Sequence, residues 1–287
     1  MKKKYCFGDT KIEVSLPEDI VIPENMKKFE IVQGNAEFTY GIKTTNNLKK
    51  IVDEFCADNK IDRQIERQNM IILLSGIKEL RIIWIIGTNI PYAVTIEEND
   101  HETNVWIDEW IKEQMHSDTI FGSLLALEKK VIQKDCMILH SAFVCRNGEA
   151  ILFTAPSGTG KSTQADLWTK YRETKTINGD RTLMKRTEHG WYACGWPICG
   201  SSEICHNECY PLKAIVVLSQ SQKNHIEKMK GVGLVQKLVG EITVNMWNLD
   251  FQDHVLSLIE KLSNEIPVFH LECDISEEAV RCLEEVL

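Results

Sequence analysis

The sequence contains no apolar run approaching the roughly 20 residues that a membrane-spanning helix needs, so no such span is expected. Its first lysines lead into Tyr5, Cys6, Phe7, Gly8 and Asp9 rather than an apolar core. No secretory leader is therefore expected, and the cytoplasm is the expected compartment. Positive charge is scarce as well. The 33 Lys and Arg are outnumbered by 42 Asp and Glu, giving a net charge of −9. That balance argues against a nucleic-acid partner, which calls for a basic surface. The one basic cluster, Lys2-Lys3-Lys4, is expected to be solvated at an exposed terminus. No C-x-x-C pair occurs among the ten cysteines. Cys194, Cys199, Cys205 and Cys209 crowd one segment beside His206, but structural zinc sites are usually built on such pairs. Reduced, half-buried thiols are expected there instead. Internal repeats, low-complexity tracts and linkers are also missing.

What remains is an ordinary globular composition, 43% hydrophobic and 26% charged over 287 residues. That length suits one large domain or two smaller ones and can bury a sizeable core. The first hundred residues read mainly as strands. Residues 11–16 alternate through Ile12, Val14 and Leu16, and residues 29–42 do so more loosely. Residues 70–74 and 80–86 are apolar runs separated by Ser75-Gly76, and residues 91–96 continue the pattern. Residues 47–56 have helical spacing. A charged, turn-rich stretch over 97–103 closes this part, in which nothing has catalytic spacing. Ser117 is expected to cap one long helix carrying Ile120, Phe121, Leu124, Leu125, Leu127, Val131 and Ile132, which would dock the two parts. Residues 137–144 read as a strand, and Asn147-Gly148 is a strong hairpin signal between that strand and the next. Further on, short strands at 174–179, 181–186 and 191–195 are joined by tight turns. A buried strand over 212–218 follows, then helices over 231–242 and 250–264. A last strand over 267–271 precedes a terminal helix capped by Ser276.

The run Ala155-Pro156-Ser157-Gly158-Thr159-Gly160-Lys161-Ser162 fits the phosphate-binding P-loop pattern, with Ala in place of the first Gly. Residues 149–154 read as a buried strand and residues 161–168 as a helix, which is the context the motif requires. Glycines let several backbone N–H groups converge on one phosphate, and the helix N-terminus adds partial positive charge. The expected nucleotide contacts are Pro156, Ser157, Gly158, Thr159, Gly160, Lys161, Ser162 and Thr163. Lys161 would reach the β- and γ-phosphates, and the Ser162 hydroxyl would ligate Mg²⁺. A carboxylate must stand near that ion. The strand over 214–218 ends in Ser219, and the runs over 71–74 and 82–86 end in Ser75 and Gly87, so none offers one. Asp180, in Thr176-Ile177-Asn178-Gly179-Asp180-Arg181, is the well-placed candidate. It can hold Mg²⁺ or accept a proton from an acceptor hydroxyl. Glu203 is the reserve carboxylate. His140, one strand before the loop, is either a satisfied core histidine or part of the site. Trp191, Tyr192 and Trp196 are expected to pack the sheet.

His140-Ser141, the P-S-G-T-G-K-S loop and Gly179-Asp180-Arg181 resemble the kinase core of HPr kinase/phosphorylase, which is similar in turn to phosphoenolpyruvate carboxykinase. The segment from Gly195-Trp196-Pro197 through Asn207 to Ile215 looks like HPr-kinase-like proteins found beside peptide-modification genes. The resemblance spans residues 137–287. It implies an ATP- and Mg²⁺-dependent kinase for a hydroxyl, with the loop strand in a mixed sheet. It also implies a histidine near the phosphates and an aspartate of an Asp-Asp pair as base. Here Gly179-Asp180 stands where that pair is expected, and the family's later glycine-arginine signature is missing. Recognition of HPr and reverse phosphorolysis are therefore not expected. Nor is carboxykinase activity, since the chain is short and no manganese-binding Lys and His are found.

Together these readings predict an α/β (α+β) protein. A β-rich region over 1–116 would precede a mixed-sheet P-loop kinase core of HPr kinase type over 117–287. Its expected catalytic residues are Asp180, His140 and Lys161, its metal ligands Ser162 and Asp180, and its cofactors ATP and Mg²⁺. The acceptor would be a hydroxyl on a peptide, protein or small molecule, with no nucleic-acid or membrane partner, and the sequence leaves room for a homo-oligomer. A nucleotide-binding regulator without efficient phosphotransfer is the alternative, favoured by the missing second aspartate. A bare ATPase driving a partner is a third reading, but no arginine-finger motif supports it.

Overall fold

The computed structural model describes residues 1–287, which form two compact units, Met1–Leu127 and Glu128–Leu287. The first is built on one eight-stranded sheet: β1 (Lys2–Phe7), β2 (Thr10–Ser15), β3 (Phe38–Thr45), β4 (Arg63–Arg67), β5 (Met70–Ser75), β6 (Lys78–Trp84), β7 (Pro91–Glu97) and β8 (Glu102–Asp108). They lie in the order β1-β2-β3-β8-β7-β6-β5-β4, with β3 parallel to both neighbours. A short helix α1 (Glu24–Lys27) follows β2. Helix α2 (Leu48–Asp58) has its N-cap at Asn47, which accepts from the Lys50 N–H, and buries Leu48 and Phe55 against Leu73, Leu80, Val94 and Ile96.

Several expectations for this unit are corrected. The strand foreseen over 29–42 begins only at Phe38, because residues 28–37 are taken up by turns after α1. The N-terminal lysines lie in β1; Lys2 and Lys3 pair with Glu13 and Glu30, and their side chains stay largely or partly exposed, as the solvated cluster expected from the sequence requires. The single helix expected over residues 117–132 is broken into α3 (Asp118–Ser123) and α4 (Glu128–Val131). Ala126, at φ 46°, takes the left-handed conformation that interrupts it. Ser117 is the N-cap of α3, yet its side chain makes no capping bond.

The second unit contains β9 (Cys136–Arg146), β10 (Glu149–Thr154), β11 (Lys175–Asn178), β12 (Arg181–Thr187), β13 (Gly190–Cys194), β14 (Cys209–Gln220), β15 (His225–Lys228) and β16 (Val268–Cys273). Its longer helices are α5 (Lys161–Arg172), α6 (Gly231–Glu241), α7 (Leu249–Glu265) and α8 (Glu277–Glu284). The sheet is mixed. Asn147 and Gly148, at φ 52° and 82°, form the tight turn that sets β9 antiparallel to β10, as the Asn-Gly pair predicts. Strand β10 then runs parallel to β14, and β14 parallel to β16. Successive side chains on these strands point to opposite faces. Ile151, Phe153 and Val216 pack with Trp168 of α5 and Val280 of α8, whereas Leu152, Ile215 and Val217 pack with Leu238 of α6 and Leu258 of α7. Burial on both faces is why these strands read as continuous apolar runs. Trp191 and Trp196 are buried, as packing residues should be.

Two further expectations fail here. Cys194 and Cys209 are not free thiols: they are directly opposed on β13 and β14, Cα to Cα 4.0 Å, and are joined by a disulfide. Cys199 and Cys205 are buried and form no disulfide. Ser276 occupies the N-cap of α8 without capping it, because its hydroxyl donates to Asp274 instead.

Candidate functional site

The site forms where β9 changes partners. Its first half pairs with β12, Arg181 opposite His140, and its second half with β10, Ser141 opposite Thr154. The Ser141 N–H donates to the Asp180 carbonyl at 2.9 Å, and the Thr154 hydroxyl donates to the His140 carbonyl at 2.8 Å. These bonds draw three segments, distant in sequence, to one place: the histidine of β9, the loop after β10 and the turn before β12.

Between β10 and α5, Gly158 and Gly160 take φ of 80° and 117°, conformations a side chain would strain. Helix α5 starts at Lys161 with no side-chain cap, so its first-turn N–H groups have no intrahelical partner. A cavity of about 340 Å³ opens there, lined by His140, Ser157, Gly158, Gly160, Lys161, Ser162, Thr163 and Asp180, with Gly179, Cys199, Ser201 and Ser202 completing its wall. Of the nucleotide-contact residues expected from the sequence, Pro156 and Thr159 are not among those lining it. The Lys161 ammonium donates to the Ala155 carbonyl at 2.9 Å. Burial pulls its pKa below the ordinary lysine value, against the opposing pull of the Glu241 and Asp180 carboxylates.

Asp180 lies 3.3 Å from His140 Nε2 through Oδ1 and 3.3 Å from Arg181 Nε through Oδ2. Burial pushes the Asp180 carboxyl up, but the hydrogen bond from His140 and the charges of Arg181 and Lys161 outweigh it and hold the group below the usual carboxylate range. Its position is set by Asn178, which is fully buried. The Asn178 side-chain oxygen accepts from the N–H groups of Asp180 and Arg181, both at 2.8 Å, and its amide donates to the Trp196 and Ile198 carbonyls. An Asn two residues before the candidate carboxylate is a readable turn signal.

Glu241 is the residue that sequence reasoning missed. It ends α6, and its Oε2 lies 2.9 Å from His140 Nδ1. A carboxylate is disfavoured at a helix C-terminus, and this one is hydrogen-bonded to the histidine ring. The Thr243 N–H, donating to the Ile138 carbonyl, ties this end of α6 to β9. Glu203, the reserve carboxylate, is exposed and does not line the cavity. Ser141 is buried with its hydroxyl on Thr182, and Arg146 pairs with Glu284. Gly179 has no room for a side chain. A Cβ there would stand 2.1 Å from Ser202 Oγ and 2.4 Å from Ser202 Cβ, so the serine fills the space a side chain would need.

Ser162 and Asp180 offer hard oxygen donors that suit Mg²⁺ in chemistry, and phosphate oxygens would have to supply much of the remaining coordination. The fold and site thus define a mixed α/β protein with a polar cavity at the carboxyl end of β10. The chain belongs to the family described as SynChlorMet cassette protein ScmC, whose model matches residues 106–287. Among solved structures, it is similar to the Hpr(Ser) kinase/phosphatase from Coxiella burnetii, at 10% identity over 52% of this chain and 95% of that one, with a TM-score of 0.30. At that score the likeness carries no weight for the fold or the activity. No curated protein matches the sequence. No helix is long and apolar enough to cross a membrane.

Proposed function

We propose that the protein is an ATP- and Mg²⁺-dependent kinase that transfers the γ-phosphate to a hydroxyl of a peptide, a protein or a small molecule in the cytoplasm. The observation that carries this reading is the convergence of Lys161, Ser162, Asp180 and His140 on one cavity. In this reading the residues from Ser157 to Thr163 cradle the phosphates through backbone N–H groups, and the Lys161 ammonium swings from the Ala155 carbonyl onto them. Bound Mg²⁺ would neutralise charge on the transferring group, and Ser162 and Asp180 would hold it. Asp180 takes the proton of the acceptor hydroxyl as the new P–O bond forms and the bond to ADP breaks. His140, held between Asp180 and Glu241, orients the Asp180 carboxylate.

One observation favours the second reading, a nucleotide-binding regulator. Ser202 leaves no room for a side chain at Gly179, so a single aspartate would have to serve both metal and acceptor. Incubation with γ-labelled ATP and a panel of hydroxyl-bearing peptides and metabolites separates the two. Label on an acceptor supports the kinase; ATP binding without transfer to any acceptor supports the regulator.

A further inference from the structure

A second cavity, of about 330 Å³, adjoins the same loop, and Gly158, Gly160 and Thr163 line both. Its other walls are Gln164 of α5, the end of β14 at Gln220 and Ser221, and the end of β16 at Cys273, Asp274 and Ile275. Since β10, β14 and β16 run parallel, this is the carboxyl edge at which α/β sheets take their ligands.

The chemistry of the walls is specific. Asp274 is held by a set of hydrogen bonds: Ser276 Oγ donates to its Oδ1 at 2.5 Å, Asn224 Nδ2 donates to the same oxygen at 3.0 Å, its own N–H donates to Asn224 Oδ1 at 3.0 Å, and the backbone N–H groups of Asp274 and Ser276 also favour the carboxylate. Both side-chain bonds fall on one oxygen. The Ser276 and Asn224 bonds also keep the carboxyl below its ordinary pKa, so it stands as an ionised acceptor. Gln164 is 3% exposed, and its amide nitrogen donates to Cys273 Sγ and the Asp274 carbonyl. Its Oε1 is buried and has no partner. A buried acceptor left unpaired is costly and calls for a donor. Ile275 is 77% exposed beside these polar groups and gives a planar ring an apolar surface. Gln220 donates to the Gly158 and Thr159 carbonyls and so fastens the loop to the end of β14 between the two cavities.

We propose that this second cavity is the nucleoside subsite: ribose hydroxyls donate to Asp274, the purine lies over Ile275, and an exocyclic amino group serves Gln164 Oε1. The inference rests on the kinase reading, because the subsite is useful only if the triphosphate lies along the shared glycines. Asp274 would contact the ribose, and Ile275 and Gln164 the base.

Calorimetric titration of the full-length protein with Mg-ATP and with Mg-tripolyphosphate tests it. Wild type should bind ATP roughly tenfold or more tightly than tripolyphosphate, the gain expected from a hydrogen-bonded charged acceptor plus an apolar contact. Ser221→Trp fills the cavity, and Asp274→Ala removes the acceptor. Each should cancel that difference and leave tripolyphosphate binding as in wild type. Unchanged ATP affinity in folded Ser221→Trp overturns the subsite and leaves the kinase reading standing. If wild type binds neither ligand, the kinase reading falls and takes the subsite with it.

Discussion

His140 Nε2 stands 3.3 Å from Asp180 Oδ1, while the other ring nitrogen stands 2.9 Å from Glu241. The histidine is thus a bridge between the carboxylate of the candidate base and one at the end of a distant helix. In a kinase built this way, the loss of charge at Asp180 should damage chemistry far more than nucleotide binding. Asp180→Asn is expected to lower kcat by at least ~10²-fold, the lower end for a general base, with little change in ATP affinity. Steady-state kinetics with the identified acceptor, beside a binding titration, measures both.

Glu241 should act through His140. Glu241→Ala is expected to reduce kcat roughly tenfold or more, as when an outer hydrogen-bond partner is lost, while KM for ATP stays close to wild type. Glu241→Gln keeps an acceptor for Nδ1 and should recover part of the rate. Equal kcat in all three proteins would remove Glu241 from the account.

The close approach at Gly179 makes an unusual prediction. Gly179→Asp introduces a doubled aspartate but drives a Cβ to within 2.4 Å of Ser202 Cβ, so unfolding should show a loss of about 1–3 kcal/mol of stability, the usual range for overpacking. The double variant Gly179→Asp/Ser202→Gly removes the collision and should regain much of that loss. A single variant as stable as wild type contradicts the packing explanation.

Asn178→Ala removes both sides of a buried hydrogen-bond set and should cost about 1–3 kcal/mol for each polar group left unpaired. Denaturant unfolding measures the loss, and kcat should fall with it because Asp180 is no longer fixed.

Asp180 also carries a pH signature. Its carboxyl is held below the ordinary range, so the folded state favours the ionised form. That contribution to stability is complete above the unfolded-state pKa of ~3.9 and is lost as pH falls through the lower folded value. Thermal unfolding followed from pH 5 down to pH 3 should show a smaller decline in Asp180→Asn than in wild type. Parallel declines would contradict the shift.

Much of the core was legible because local chemistry decided it. Asn147-Gly148 fixed a hairpin that two residues are able to specify, and the apolar run of β10 announced burial on both faces. The convergence of His140 with the loop follows from that hairpin, since the turn fixes the register that sets Ser141 opposite Thr154. Glu241 was hidden because it lies 101 residues from His140 and meets it only through tertiary packing of α6. The helix over 117–132 was overread because its apolar period is real, while the left-handed turn at Ala126 has no sequence mark. Ser117 and Ser276 occupy cap positions, but propensity gives the position and not the bond the hydroxyl finally makes. β4 and β15 escaped because their side chains are mostly exposed and lack the apolar alternation on which strand reading depends.

The central claim is that this loop binds the phosphates of ATP for transfer, and Lys161→Ala tests it most directly. Its ammonium would be the main side-chain charge on the β- and γ-phosphates. Folded Lys161→Ala, checked by circular dichroism, should therefore show no transfer of γ-label to an acceptor that wild type phosphorylates. Wild-type transfer and wild-type ATP affinity in the folded variant would contradict the account.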